Sequence, residues 1–500
     1  MNPPSVRFPR RNRLRREAGL IAPLLITMML VLWQGGQSLW RDEASSLWFA
    51  RQSLPTLLTA LCDPHPPGYY LLLKGWQFGG DQELWLRLPS LAAALLGVAL
   101  TYRLGLKLGG RRWAGLALLL LAWHPLQVWY GGEARMYSLA QAGGLVLVWL
   151  GVTILTARPG RWYLWLGYAV LVPLILSLDY VLLLPFFLLQ GLWLALGRPK
   201  AGAWLGLQAT VLVAGGWLWL DPARWTALNG SYHAVFIAIR AGQMGVDLTP
   251  GQARIGLQLG VIGLALIGLW LAWQWPRRMS DSGRGWPLAG IVLSGWLVLL
   301  LVSGVPRGYT LKRLLVVLLP YLALLTAYVL ARRSSLLKGL VVALGLGLAV
   351  LVMATHQREP WRQTVADLVA SAGPNTAIWV DELAVPVFAY YWPGPPGSTP
   401  ADWAPLIGRQ LPTLPDLAPP AGGELWIISA DERYRRLTLA LPPEFYQSYA
   451  LQRVEAEQGL YRFIYHRRDQ APPTPVATPV PGPIVTWGLQ LPSPLDQCQA

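Results

Sequence analysis

Long apolar runs, each closed by a short polar turn, dominate the first 355 residues. They fall at 19–40, 88–108, 113–130, 136–156, 162–178, 180–197, 203–220, 254–275, 287–304, 314–331 and 338–355. A helix needs about 20 apolar residues to cross the hydrocarbon of a bilayer, so the pattern predicts about eleven spanning helices. The first run lacks a small-residue cleavage site and reads as an uncleaved span rather than a signal peptide. From 356 onward the long runs stop. Residues 361–372 have helical spacing, and so have 432–441. Short β-rich runs stand at 376–380, 424–429 and 460–466. Helix and strand patterns in alternation predict a small α/β domain. Residues 471–500, rich in Pro, Thr and Val, predict an extended tail.

Composition narrows the class. Of 500 residues, 54% are hydrophobic and 13% charged, with mean hydropathy +0.39. Soluble domains carry about 25% charged residues, so several water-soluble domains are excluded, and so is a disordered chain. Net charge is +16. In a soluble protein that would suggest nucleic acid. Here the basic residues cluster in the turns, where they set membrane orientation, and no nucleic-acid partner is expected.

The basic turns at 111–112, 158–161, 198–200, 277–284 and 332–338, with the Arg-rich head 1–17, are read as cytoplasmic. The N-terminus then lies in the cytoplasm and the C-terminal segment outside. Within 1–355, every carboxylate except Glu17 and Asp281 falls on the outward side, although only Lys and Arg set the topology. The outward face is therefore read as the working face. The chain is expected to be an α-helical polytopic cell-membrane protein in four parts. These are a basic head (1–17), a transmembrane domain (18–355) with a long first outward loop (41–87), an extracytoplasmic α/β domain (356–470) and the tail (471–500).

Four outward strings could carry chemistry, and each has a plainer structural reading beside it. Asp42 and Glu43 in RDEASSLW form an acidic pair at the membrane surface, able to deprotonate an incoming hydroxyl or simply to begin a helix. DPHPPGYYLLLKGW holds His65 and Lys74. Its prolines fix a turn, and the two basic side chains could meet a phosphate or only anchor an interfacial helix. Arg87 follows in ELWLRLPS, as a ligand or an interface anchor. WYGGEARMYSL places Glu133, Arg135 and Tyr137 in one short turn, where the planar guanidinium could grip a lipid phosphate or merely pair locally. Farther on, Arg307 and Arg313 in PRGYTLKR break the positive-inside trend, as an anionic ligand or ordinary anionic lipid would explain. Cys62 and Cys498 give no disulfide framework. P-loop, GxSxG, HExxH and CxxC motifs are absent from the sequence, so ATP-driven transport and zinc or serine hydrolysis lack motif support.

RDEASSLW, DPHPPGYYLLLKGW, ELWLRLPS and WYGGEARMYSL, in that order at span boundaries, resemble membrane glycosyltransferases of the C superfold, in the protein O-mannosyltransferase and aminoarabinose-transferase-like group. Similarity is strongest over 38–145. RGYTLKRLLVVLLPYLALL resembles the family's last outward loop, and REPWRQTVADL the start of its outer domain. The resemblance implies a polyprenyl-phosphate sugar donor and an extracytoplasmic hydroxyl acceptor on protein, lipid or glycan. It implies Asp42 as catalytic base with Glu43 beside it, and Lys74, Arg87, Arg135, Arg307 and Arg313 as ligands of the donor phosphate. His65 and Glu133 match positions near the reaction centre. Some relatives hold a divalent metal there and others none. Asp42, His65 and Glu133 are the residues such an ion would take, although GGEAR stands where a DxD would be expected. Two rival readings share the outward site: a polymerase or ligase of lipid-linked glycans, and a transporter or flippase of lipid-linked sugars. The clean Leu/Ala/Val/Gly spans disfavour transport, which needs polar groups near the bilayer midplane.

Overall fold

A computed structural model describes residues 10–59, 65–156, 160–179, parts of 202–213, 311–331, 333–355, 358–371, 377–380, 384–392, 424–429, 443–457 and 460–468. The predicted spans at 180–197, 203–220, 254–275 and 287–304 lie wholly or largely outside the described residues, as do the predicted helix 432–441 and the tail.

The chain divides into two compact units, Met1–Gly35 with Asp63–Thr355, and Gly36–Cys62 with His356–Ala500. The division joins 36–62, the end of the first apolar run and the start of the loop predicted at 41–87, to the C-terminal segment. It is a feature that the apolar runs alone do not reveal.

Among the described residues, helices make up the first unit. They are α1 (Arg10–Gly35), α4 (Gly68–Trp76), α5 (Glu83–Gly109), α6 (Arg111–Ala122), α7 (Pro125–Gly131), α8 (Tyr137–Thr156), α9 (Trp162–Leu176), α10 (Leu311–Ala331) and α11 (Ser335–Thr355). Among the described residues, α5, α8 and α11 are long and apolar enough to cross a membrane. This is a helical membrane protein. Burial separates the three. In its most apolar stretch α8 is 72% buried and α11 only 11%, so α8 is central to the bundle and α11 presents its leucines outward. Ala140, Leu147 and Ile154 of α8 pack with Tyr168 and Val172 of α9 and Val317 of α10. Leu104, Trp113, Leu145 and Leu324 join α5, α6, α8 and α10. The α5–α6 approach is close: a Cβ on Gly105 would lie 2.9 Å from the Ala114 Cα. Gly110 makes the turn between them at φ 89°, a conformation that side chains resist.

The second unit opens with α2 (Arg41–Arg51) and α3 (Leu54–Thr59). It continues after the last span with α12 (Trp361–Ser371), β1 (Ala377–Val380), α13 (Val385–Tyr391), β2 (Glu424–Ser429), α14 (Pro443–Ser448), β3 (Tyr449–Glu457) and β4 (Leu460–Arg467). The strands form one sheet in the order β1-β2-β4-β3. β1 and β2 are parallel, the other pairs antiparallel, and β3 carries an irregularity between Leu451 and Arg453. Both faces of β2 are covered, which is why ELWIIS reads as a near-continuous apolar run. Trp426 and Ile428 meet Ala44 of α2, Trp361, Val365 and Leu368 of α12, and Val387 of α13. Leu425 and Ile427 meet Tyr449, Phe463 and Tyr465 on the opposite face.

Candidate functional site

In the second unit, α2 carries the acidic pair. Trp40 precedes the helix in extended conformation, and Asp42 and Glu43 occupy the first turn, where carboxylates favour the helix dipole. Their environments differ. Asp42 is partly exposed, while the Glu43 side chain is fully buried. Glu43 Oε2 accepts the Trp40 amide at 3.2 Å and the Arg358 guanidinium at 2.5 Å. The Arg358 backbone N–H donates to Gln37 Oε1 at 2.8 Å. Next to it, Glu359 accepts the Trp361 indole N–H at 2.7 Å. Burial pushes the Glu359 carboxyl up, and the charge on Asp42 adds to this. The Trp361 hydrogen bond, the Arg41 charge and the Arg41 amide oppose it, with burial the largest influence. Arg358 and Glu359 escaped selection from sequence. They lie inside the REPW string, but nothing in their spacing ties them to residues some 315 positions earlier.

In the first unit, the two short turns before α4 and α8 bring together His65, Arg135 and Tyr137. All three are buried. Arg135 Nη2 stands 3.4 Å from His65 Nε2 and donates to the Tyr137 hydroxyl at 3.3 Å. Its guanidinium lies 5.6 Å from the Tyr137 ring centre. Tyr130 crosses Tyr137 edge-on at 5.1 Å. The turn is fixed by backbone contacts. The Arg135 carbonyl accepts from Ser90 Oγ at 3.0 Å, and its N–H donates to the Glu133 carbonyl at 2.8 Å. Glu133 is also buried, two positions before Arg135. The turn that bears His65 is pinned as well: the Gly68 N–H donates to the Ser177 carbonyl at 2.9 Å. A Cβ on Gly68 would lie 2.5 Å from that same oxygen, so glycine is required for the approach.

Arg87 is 1% exposed, and its Nη1 donates to the Gly35 carbonyl at 2.7 Å. It thereby satisfies a carbonyl that the end of α1 leaves open. Lys74 is half-buried in the last turn of α4, where the helix dipole suits a cation. Asp179, beyond the end of α9, is fully buried two positions after the Ser177 that holds Gly68. Arg307 lies outside the described residues. Arg313 falls on α10, with its side chain outside them.

Among the described residues no three His, Cys, Asp or Glu side chains group as metal ligands. His65 Nε2 already faces the Arg135 guanidinium, and a dication there would meet a fixed positive charge. The residues present do not fit a metal at His65.

No protein-family model and no curated protein sequence matches the chain. Solved structures do. The chain is similar to ArnT from Cupriavidus metallidurans in the apo state, with 13% identity over 91% of this chain and 98% of that one, at a TM-score of 0.42. It is also similar to the arabinosyltransferase EmbB from Mycobacterium smegmatis, with 17% identity over 70% of this chain and 41% of that one, at 0.35. For the oligosaccharyltransferase of Archaeoglobus fulgidus the identity is 10%, over 72% of this chain and 59% of that one, at 0.39. At these scores the likeness assigns no residue a role.

Proposed function

We propose that this protein is an integral membrane glycosyltransferase. It moves a sugar from a polyprenyl-phosphate donor to a hydroxyl acceptor on the extracytoplasmic side. The observation that supports this most is the buried guanidinium of Arg135, held by His65 and Tyr137 just before the N-termini of α4 and α8. Two helix N-termini add further positive potential. Together these features suit an anionic headgroup, and the apolar helices suit its lipid tail.

The chemistry then divides by residue type. Asp42 takes the proton of the acceptor hydroxyl as that oxygen bonds to the sugar C1. The bond from C1 to the phosphate oxygen breaks, and the lipid phosphate leaves as the anion. Attack opposite the leaving group inverts the anomeric centre. Arg135 stabilises the charge that develops on the phosphate, a kind of contact worth about 3 kcal/mol in a transition state. His65 and Tyr137 orient the guanidinium. Lys74, Arg87, Arg307 and Arg313 are the further cations of the proposal, with Arg87 also closing α1. Glu133 is assigned to the same turn as Arg135.

The test is to incubate the purified protein with radiolabelled undecaprenyl-phosphate sugars and follow release of label. Wild type releases it from at least one donor. Asp42→Asn inserts normally and binds donor but loses transfer by about a thousandfold or more, the scale of a general base. Full transfer by that variant would remove Asp42 as the base.

A further inference from the structure

The acidic pair is not two equivalent carboxylates. Glu43 has no exposed side-chain surface, and it accepts from two donors that fix its position, the Trp40 amide and the Arg358 guanidinium. Asp42, one residue earlier, is partly open. A carboxylate clamped by a guanidinium at 2.5 Å is a poor proton acceptor, since protonation would forfeit the ion pair. Removing one partner of a buried pair leaves the other charge uncompensated.

The surrounding contacts have the same purpose. Every residue from Gly36 to Leu39 is tied to the chain that follows the last span. The Arg362 side chain donates to the Gly36 carbonyl at 3.5 Å, the Arg358 amide to Gln37, the Arg362 amide to Ser38 Oγ at 3.2 Å, and the Leu39 amide to the Tyr391 hydroxyl at 2.7 Å. Ala44 lies in the core built by Trp361, Val365 and Leu368. The helix bearing Asp42 is therefore part of the C-terminal unit's own core.

We infer that Arg358 is the positioning residue of the acidic helix, acting through Glu43, and that Asp42 alone of the pair exchanges a proton with substrate. The C-terminal unit is then the scaffold of the base and not an accessory cover. This rests on the transferase reading for its catalytic part and on the geometry of 36–51 and 358–362 for its structural part.

The test uses the full chain in nanodiscs with three variants: Arg358→Ala, Arg358→Lys and Glu43→Gln. Hydrogen exchange of the 41–51 peptide is expected to rise about tenfold or more in Arg358→Ala, to return toward wild type in Arg358→Lys, and to stay unchanged over 137–156 in all three. With an undecaprenyl-phosphate sugar that wild type turns over, Arg358→Ala is expected to lower kcat about a hundredfold with little change in donor KM. A misplacement of about 1 Å is enough for that loss. Glu43→Gln, which keeps an acceptor for Trp40, retains measurable transfer, and its combination with Arg358→Ala is no worse than the poorer single variant. Unchanged exchange over 41–51 in Arg358→Ala would overturn the inference. So would a Glu43→Gln variant as dead as Asp42→Asn, because Glu43 would then be a base. Failure of wild type to turn over any donor would defeat the transferase reading and leave the exchange result to decide the positioning role by itself.

Discussion

The two units hold their polar groups by different means. In the first, the cluster around Arg135 comes from two short turns, each read in one stretch of sequence. His65 stands just ahead of α4, and Arg135 and Tyr137 sit at the start of α8. In the second, the acidic helix is fixed by a segment more than 300 residues away in the chain. The first arrangement is a by-product of packing spans, because neighbouring helices bring their end turns together. The second requires a separate sheet-and-helix core, in which α2 is one packed member. The Arg135 turn is local. The acidic helix is not, and its walls are supplied by the chain after the last span.

Trp361 gives the sharpest way to break that contrast, because it is fully buried in the second unit's core and its indole also holds Glu359. Trp361→Ala is expected to cost about 3–5 kcal/mol, the usual range for a buried aromatic truncated to alanine. The loss should be confined to the second unit. Limited proteolysis and hydrogen exchange would show it as opening over 41–51 and 361–371, with 83–109 and 137–156 unaffected. Equal opening of α5 and α8 would mean that the two units do not stand apart in stability.

Arg135→Ala comes next and probes the first unit alone. Donor affinity, read as the Kd for undecaprenyl phosphate in nanodiscs, is expected to weaken about ten- to a hundredfold, the scale of one lost charge-assisted contact. Arg224→Ala, between the predicted spans 203–220 and 254–275 and outside the described residues, serves as the control and should change it little. Exchange over 41–51 should stay at the wild-type level. Equal weakening by both substitutions would undo the phosphate role of Arg135.

How much of this was legible beforehand depends on the distance between partners in sequence. The apolar periods marked α5, α8 and α11 as spanning helices, since hydrocarbon thickness demands length and nothing subtler. The β-rich runs at 424–429 and 460–466 correspond to β2 and β4. Strand β3 (Tyr449–Glu457) was missed, because YALQRVEAE alternates weakly and carries three charges. His65, Arg135 and Tyr137 could each be named from local strings, yet their meeting could not, because it depends on how the helices pack. Asp42 and Glu43 looked alike in sequence. Only the distant Arg358 distinguishes them, and a buried ion pair across 315 positions leaves no periodic signature.

The smallest expected effect concerns Glu359 and the pH response of the second unit. Burial raises this carboxyl above its ordinary value of 4.5, with Asp42 adding to the rise and Trp361 and Arg41 opposing it. In the folded state Glu359 therefore keeps its proton at a pH where the unfolded chain has released it. The folded form binds more protons across that window, so stability falls as pH rises from 4.5 through the raised folded value. Glu359→Gln keeps an oxygen for the Trp361 indole and has no proton to lose. Its thermal midpoint, followed through exchange or fluorescence of the second unit, should be flatter than wild type as pH rises from 4.5 and should stand higher at the alkaline end. A variant with the wild-type slope would assign that response to another group. A slope of opposite sign would mean that the Arg41 and Trp361 contacts outweigh burial, and that Glu359 is ionised beside Asp42 in the folded protein.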